Sequence, residues 1–495
     1  MHTKAWVADE LQYAQLGDTR RHQRLIRIVS DMADHPTATI PESCGSWSAT
    51  KAAYRFWSNP HVDAASIRQA HQQRTFARLA ERSDTGEPQT FLIVQDTTNL
   101  TFNTQRRRKQ DLGYLDHANQ WGLKQHSALA VSSEGVPQGI VYQEIWARDP
   151  DNYGKKHQRR KKNTQDKESQ RWIRTTQAIQ EKLQEQDTPN TRWIMVADRE
   201  ADLYDYLAME RPRNVELLVR VAQTHRCVHG EAGHLLQAVQ DSPIVGTVQV
   251  EIQPSGNRSA RQATLTVRYQ KLRLKPPQNR KVADRGPEVP GWVILAEEVT
   301  PAEGIKPIVW VLWSSLEVAC FEDAVLYLHY YALRWLVERY HFVLKGGCCV
   351  EELQLATADR IERAVATLNV VAWRLLWLTY ESRRCPEQSC DGILESHEWE
   401  ALALHRHQKH GEPMSFPLTP PTLAQAVTWI AQLGGFLGRR GDGEPGVKTL
   451  WRGLRHLHDL ASMWRLCRDS IGTQHSGDPP GSLSLPDLNL FVGKG

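Results

Sequence analysis

The stretch Tyr331-Ala-Leu-Arg-Trp-Leu-Val-Glu-Arg-Tyr-His-Phe-Val-Leu-Lys345 contains no Gly or Pro. Its Leu, Ala, Arg, Glu and Lys are good helix formers, so the composition predicts a helix. Tyr331, Arg334, Glu338 and Lys345 follow one another at steps of three, four and seven residues. At roughly 100° per residue they fall within about 60° of arc, and one face presents a phenol, a guanidinium, a carboxylate and an ammonium. A solvent-facing helix with i,i+4 ion pairs would show the same Arg–Glu spacing. Here, however, Leu333, Leu336, Val337, Phe342 and Leu344 occupy much of the remaining circumference. A helix that is apolar on most sides is packed on most sides. Its one polar stripe then faces a cleft, a metal or a charged ligand.

Upstream of this helix, two near-continuous apolar runs read as buried strands, and each ends on a carboxylate. They are Phe91-Leu-Ile-Val-Gln-Asp96 and Trp193-Ile-Met-Val-Ala-Asp198. Further strands are expected at 127–131, 139–145 and 217–221. A helix is expected over 199–209, with Glu200 and Asp202 at its start favoured by the helix dipole. Residues 242–315 alternate or are β-rich between Pro/Gly/Lys/Arg loops, the pattern of an antiparallel β insertion. Beyond 346 the chain reads as helical, then loop-rich over 381–420. A helical pair follows at 422–438 and 450–468, and a Pro/Gly/Ser-rich tail from 472 is expected to be disordered.

The first 75 or so residues read as a small helical module. Asp18 is placed to cap a helix that carries Arg20, Arg24 and Arg27 on one face. A second helix with Lys51 and Arg55 ends near the Ser-Asn-Pro turn at 58–60. Residues 1–70 hold eight Lys/Arg against seven Asp/Glu, so only local clustering favours DNA over a solvated face. A basic run over 155–174 would suit either a phosphate backbone or a solvated loop.

At 495 residues, 40% hydrophobic and 24% charged, the composition is that of a globular protein with two to four domains. No apolar run approaches the roughly 18 residues of a membrane span, and the N-terminus lacks the apolar core of a signal peptide. Eight scattered Cys without zinc-finger spacing point to reduced thiols and a cytoplasmic location. Cys348 and Cys349 read as packing residues. His405, His407 and His410 lie in a polar segment and read as incidental.

Asp96, Asp198 and Glu338 therefore stand out. Three converging carboxylates need neutralising, and divalent cations that prefer hard oxygen ligands do this best. Two such ions about 4 Å apart can activate an attacking oxygen and stabilise a leaving one, which is phosphodiester chemistry. Arg334 and Lys345 would then grip phosphates. Taken singly, each carboxylate fits a cap or an ion pair equally well.

The spacing Tyr331-x2-Arg334-x3-Glu338-x6-Lys345 resembles the Tyr-Arg-Glu-Lys signature of the bacterial insertion sequence four family of DDE transposases, in residue type and in spacing. Gln95-Asp96-Thr97-Thr98 and Ala197-Asp198-Arg199-Glu200-Ala201-Asp202 resemble the two Asp motifs of that family. Leu16-Gly17-Asp18-x-Arg20-Arg21 and Ala53-Tyr54-Arg55-Phe56 resemble its end-binding domain. Ala431-x-Leu433-Gly434-Gly435-Phe436, with Leu450-Trp451, resembles its dimerisation region.

The resemblance implies an α/β fold: an RNase H-like catalytic core over 76–380 with a β insertion at about 242–315. It implies an end-binding helical domain at 1–75 and a helical dimerisation domain at 381–471, ahead of the tail at 472–495. Asp96, Asp198 and Glu338 match the ligands of Mg²⁺ or Mn²⁺, two ions per site. Tyr331, Arg334 and Lys345 match DNA-gripping residues. Trp310, 21 residues before Tyr331, matches a Trp that holds a flipped base, and Trp335 flanks the same pocket or packs. Arg20, Arg24, Arg27, Lys51 and Arg55 would contact transposon-end DNA. The implied activity is cut-and-paste transposition by a homodimer that binds inverted-repeat ends and then target DNA, with no membrane partner. Two other readings stay open: a DNA-binding relative that inhibits transposition without cutting, and a metal-dependent nuclease that does not join strands.

Overall fold

The computed structural model describes residues 3–83, 87–103, 109–117, 119–154, 167–185, 190–230, 233–252, 261–278, 285–301, 304–411 and 418–474. The apolar runs become neighbouring strands of one large sheet. The strands are β1 (Gln89–Thr101), β2 (Gly113–Tyr114), β3 (Trp121–Ser132), β4 (Pro137–Trp146), β5 (Thr191–Ala197), β6 (Val215–Arg220), β7 (Gly246–Ile252), β8 (Arg261–Leu274), β9 (Val289–Glu298) and β10 (Val309–Ser314). Their order is β2-β3-β1-β5-β6-β10-β9-β8-β7, with β4 on β3. β1, β5 and β6 run parallel, while β3 and β10 pair antiparallel to this parallel set. The fold is mixed α/β.

Helices flank the sheet. Those of the N-terminal part are α1 (Ala5–Glu10), α2 (Thr19–Asp34), α3 (Ile40–Cys44), α4 (Trp47–Trp57) and α5 (Ala64–Ser83). Next come α6 (Gln170–Gln184), α7 (Tyr204–Leu207), α8 (Leu235–Gln240), α9 (Phe321–Ala332) and α10 (Trp335–Phe342). The chain then forms α11 (Ala358–Arg384), α12 (Ser396–His410), α13 (Leu423–Leu433) and α14 (Val447–Gln474). The period-2 alternation of strand side chains divides the core between the two faces of the sheet. Leu92, Val94, Ile194 and Val196 join one cluster with Leu336, Val337 and Tyr340. Phe91, Ile93, Trp193 and Met195 join another with Trp172 and Ile179.

Several expectations need correction. β1 does not stop at Asp96, because its pairing with β3 continues to Thr101 opposite Gly122. The strands of the expected insertion are antiparallel, but β10 bonds to β6 and so extends the central sheet. Residues 199–209 form a short 3-10 turn and then only α7. Asp202 serves no helix dipole: it is buried, accepts the Ala222 and Gln223 N–H groups and pairs with Arg226. The span 381–420 contains α12, and α14 reaches past 472.

The helix expected over 331–345 is divided. α9 ends at Ala332, a tight turn follows in which Val337 N–H bonds to the Arg334 carbonyl, and α10 gives way to a π-helical turn, Val343–Gly347. Residues 155–166 of the basic run and 475–495 of the tail lie outside the described residues.

Candidate active site

The alternation that sorts the core also aims the carboxylates. Asp96 shares the face of Leu92 and Val94, and Asp198, the residue after β5, continues the face of Ile194 and Val196. Both carboxylates therefore point to the side where α10 packs. The parallel register sets Val94 beside Val196, so two residues on, Asp96 and Asp198 lie side by side where the pairing of β1 with β5 ends, at the carboxyl end of β5. In open α/β sheets ligands bind in the crevice beyond those ends. Glu338 reaches the same place from α10.

Each acid already uses one oxygen. Asp96 Oδ1 accepts the Thr97 N–H at 2.8 Å, and Asp198 Oδ1 accepts the Glu200 N–H at 2.9 Å. Glu338 Oε1 pairs with Arg334 Nη2, while Arg334 Nη1 lies 4.0 Å from Asp96 Oδ2. That Nη1 is buried and has no hydrogen-bond partner. Burial pushes the Asp96 carboxyl up to about 7; Arg334 and the Thr97 N–H oppose the rise, and Asp198 and Glu338 add to it. Asp96 thus feels the charge of both other carboxylates. Hard oxygen donors of like negative charge suit a divalent cation. Yet among the described residues no group of three His, Cys, Asp or Glu is gathered to hold a metal ion. The guanidinium of Arg334 stands between Asp96 and Glu338, where it supplies the positive charge.

The rest of the stripe surrounds this group. Lys345 lies in the π turn, 3.9 Å from Glu351, and burial lowers its pKa. Tyr331 is buried, and its ring meets Trp310 of β10 at 5.6 Å, edge to face. Arg334 lies 6.0 Å over the Tyr331 ring. Trp335 is 44% exposed, packs on Tyr380 and carries Arg339 over its ring. Arg20, Arg24, Lys51 and Arg55 are exposed far away in the chain on α2 and α4, whereas Arg27 is tied to Asp31 at 2.8 Å.

Sequence reasoning missed a buried polar layer beneath the site. Tyr340 Oη donates to Asn369 Oδ1 at 2.6 Å and accepts from Gln143 at 3.3 Å, and Asn369 donates to Gln143 at 2.5 Å. His341 Nε2 meets Ser127 Oγ at 3.2 Å, and Ser127 pairs across the sheet with Asp96. Burial lowers the His341 pKa to about 3, so it stays neutral. Arg171 donates to Thr97 Oγ1 at 2.8 Å and pairs with Glu200. The available signal was the polar run Lys124-Gln125-His126-Ser127 and Gln143 within stretches that also carry β-forming apolar residues.

Two family models match the chain. Residues 3–62 match a transposase DNA-binding family, and residues 370–473 match the transposase Tn5 dimerisation domain. Neither match includes Asp96, Asp198 or Glu338. Among the described residues no helix is long and apolar enough to cross a membrane.

Proposed function

We propose that this chain, a Tn5-like transposase of the insertion sequence four family that binds DNA and dimerises, moves DNA by cut and paste. The observation that supports the reading is the placing of Arg334, paired with Glu338 and 4.0 Å from Asp96, beside the β1–β5 pair that carries Asp96 and leads into Asp198, with Lys345 near Asp96. The strand order β4-β3-β1-β5-β6, antiparallel and then parallel, supports an RNase H-like core.

Asp96, Asp198 and Glu338 would hold Mg²⁺ or Mn²⁺, most simply as an ion pair of the two-metal type. Such ions activate the attacking oxygen and stabilise the leaving one. Arg334 is the group that has to withdraw for this, and a phosphate is the ligand best suited to draw it away, because its oxygens accept a bidentate guanidinium. Lys345 supplies a point charge to the same backbone. Trp310, edge-on to Tyr331 and only partly buried, offers an aromatic surface for a base turned out of the stack. The same carboxylates would serve end nicking, hairpin formation, hairpin opening and strand transfer, since each is an in-line displacement at phosphorus.

The experiment is cleavage and joining of end DNA, taken from the inverted repeats that flank the gene, by purified protein with Mg²⁺. Asp96→Asn, Asp198→Asn and Glu338→Gln are each expected to lower cleavage by about 10²–10³-fold, the scale of losing one charge-stabilising group, with end binding retained. A variant that still cuts would remove its residue from the metal site. Binding by the wild type without cleavage under any divalent metal would favour the non-cutting inhibitor. Cleavage without joining would leave a nuclease.

A further inference from the structure

The N-terminal module is nearly neutral by count but not by arrangement. Residues 3–62 contain seven Lys/Arg and six Asp/Glu. All six acids are engaged. Asp9 pairs with Arg74, Glu10 with His71 and Arg78, and Asp31 with Arg27. Asp34 pairs with Lys4 and Glu42 with Arg455, and Asp18 caps α2. Arg20, Arg24, Lys51 and Arg55 are exposed and form no salt bridge among the described residues, although the charge of Arg24 acts on Asp31. Asp9, Glu10 and Glu42 hold the module to the rest of the chain, Asp18, Asp31 and Asp34 are engaged within it, and the exposed positive charge faces outward.

On α4 that outward face is a stripe. Ser46 caps the helix by accepting the Ala49 N–H at 3.3 Å. Trp47, Lys51 and Arg55 then follow at i, i+4 and i+8, while Ala53, Phe56 and Trp57 are buried. Trp47 is 76% exposed, the highest value among the exposed large hydrophobic residues described. α2 packs against α4 and carries the exposed Arg24.

We propose that Trp47 reads DNA sequence: the tip of α4 enters a groove of duplex DNA and the indole makes an apolar contact with a base edge. Lys51, Arg55 and Arg24 hold the flanking phosphates. The proposal rests on the reading of this chain as a DNA-binding transposase. Cations that contact phosphates fix position and carry no sequence information, whereas apolar contact with a base edge, such as a thymine methyl, does carry it. An indole has no attraction for phosphate. Its place at the head of a cationic stripe therefore suits a base, and duplex DNA is the occupant whose charge the stripe complements.

The two kinds of contact separate by salt dependence. Full-length protein would first recover a preferred duplex from a randomised pool; binding would then be titrated against salt on that duplex and on a scrambled one of equal length. Trp47→Ala is expected to weaken the preferred duplex about tenfold, leave the scrambled one within about twofold, and keep the slope of log K against log salt. Lys51→Ala is expected to weaken both and to flatten the slope by about 0.9. Trp47→Phe, which keeps an apolar ring, is expected to recover part of the preference. Unchanged thermal unfolding of Trp47→Ala would show that the fold is intact. Equal losses on both duplexes, no loss on either, or a lower mass in sedimentation with preference unchanged would overturn the proposal. A wild type that recovers no preferred duplex would instead count against sequence-specific end recognition itself.

Discussion

Arg334 holds the two ends of its guanidinium against two acids that the proposed metal site also needs. One nitrogen pairs with Glu338, and the other sits buried and unbonded 4.0 Å from Asp96. A cation entering between those acids meets a positive charge already in place. End DNA relieves that conflict if a phosphate takes the guanidinium, and by linkage metal and DNA would then favour each other's binding. Arg334→Gln removes the charge and keeps hydrogen-bonding capacity. In the absence of DNA this variant is expected to bind Mn²⁺ about tenfold more tightly than the wild type, and the wild type is expected to gain affinity once end DNA is added. Calorimetry or manganese paramagnetic resonance would measure both without any cleavage assay. Mn²⁺ affinity unchanged by Arg334→Gln would mean that the guanidinium does not contest the site.

The element that carries Glu338 is held by more than apolar packing. Tyr340 lies two residues after Glu338, and its hydroxyl joins Asn369 of α11 to Gln143 of β4. Tyr340→Phe would leave buried amide groups short of a partner, and about 1–3 kcal/mol of stability is expected to be lost in urea unfolding. A change within ±0.5 kcal/mol would show that the layer rearranges freely. Much of this region was legible from residue order. Apolar runs ending in Asp96 and Asp198 gave adjacent strands, and period-2 alternation aims both acids at α10. The reading of 331–345 as one even helix failed because its turns are not uniform. Tight bonding near Arg334 and a wide turn at Val343–Gly347 rotate side chains away from 100° steps. The wide turn ends at Gly347, where a Cβ would meet the Trp451 ring at 2.8 Å, a contact set by a helix about a hundred residues away in sequence. Arg334 lying between two acids was likewise not legible, because i,i+4 spacing predicts its bond to Glu338 but says nothing of Asp96. α12 was overlooked because its polar and apolar residues are too mixed to show one clear stripe.

Across the whole molecule, the DNA-binding and dimerisation segments are joined by a buried charge cluster as well as by a shared helix. α11 anchors the N-terminal side, where Arg363 donates to the Trp57 carbonyl at 3.1 Å and Thr367 meets the Trp57 indole at 3.1 Å. At the cluster, Lys4 Nζ lies 2.8 Å from Asp34 and 2.6 Å from Glu398 of α12, and His458 of α14 lies 3.3 Å from Asp34. Burial opposes the Lys4 charge, but Glu398 and Asp34 together raise its pKa above the ordinary value. Burial likewise opposes the Asp34 and Glu398 charges, and Lys4 holds both below the usual carboxylate range. Depressed carboxylates contribute stability that is present above their unfolded pKa of about 4 and is lost as pH falls through the folded values. A raised lysine contributes stability that is present below about 10.4 and is lost above it. The cluster is therefore expected to hold best between about pH 5 and 10 and to loosen on the acid side first when a sample is taken down from neutrality. Lys4→Met leaves two buried carboxylates without their shared cation, and a loss of about 3–5 kcal/mol is expected in denaturant unfolding at pH 7. Adding Glu398→Gln to that variant removes one stranded charge and is expected to restore part of the loss. A cost below about 1 kcal/mol, the scale of an exposed pair, with no change in the acid profile, would mean that water reaches these groups and that apolar packing alone joins the two segments.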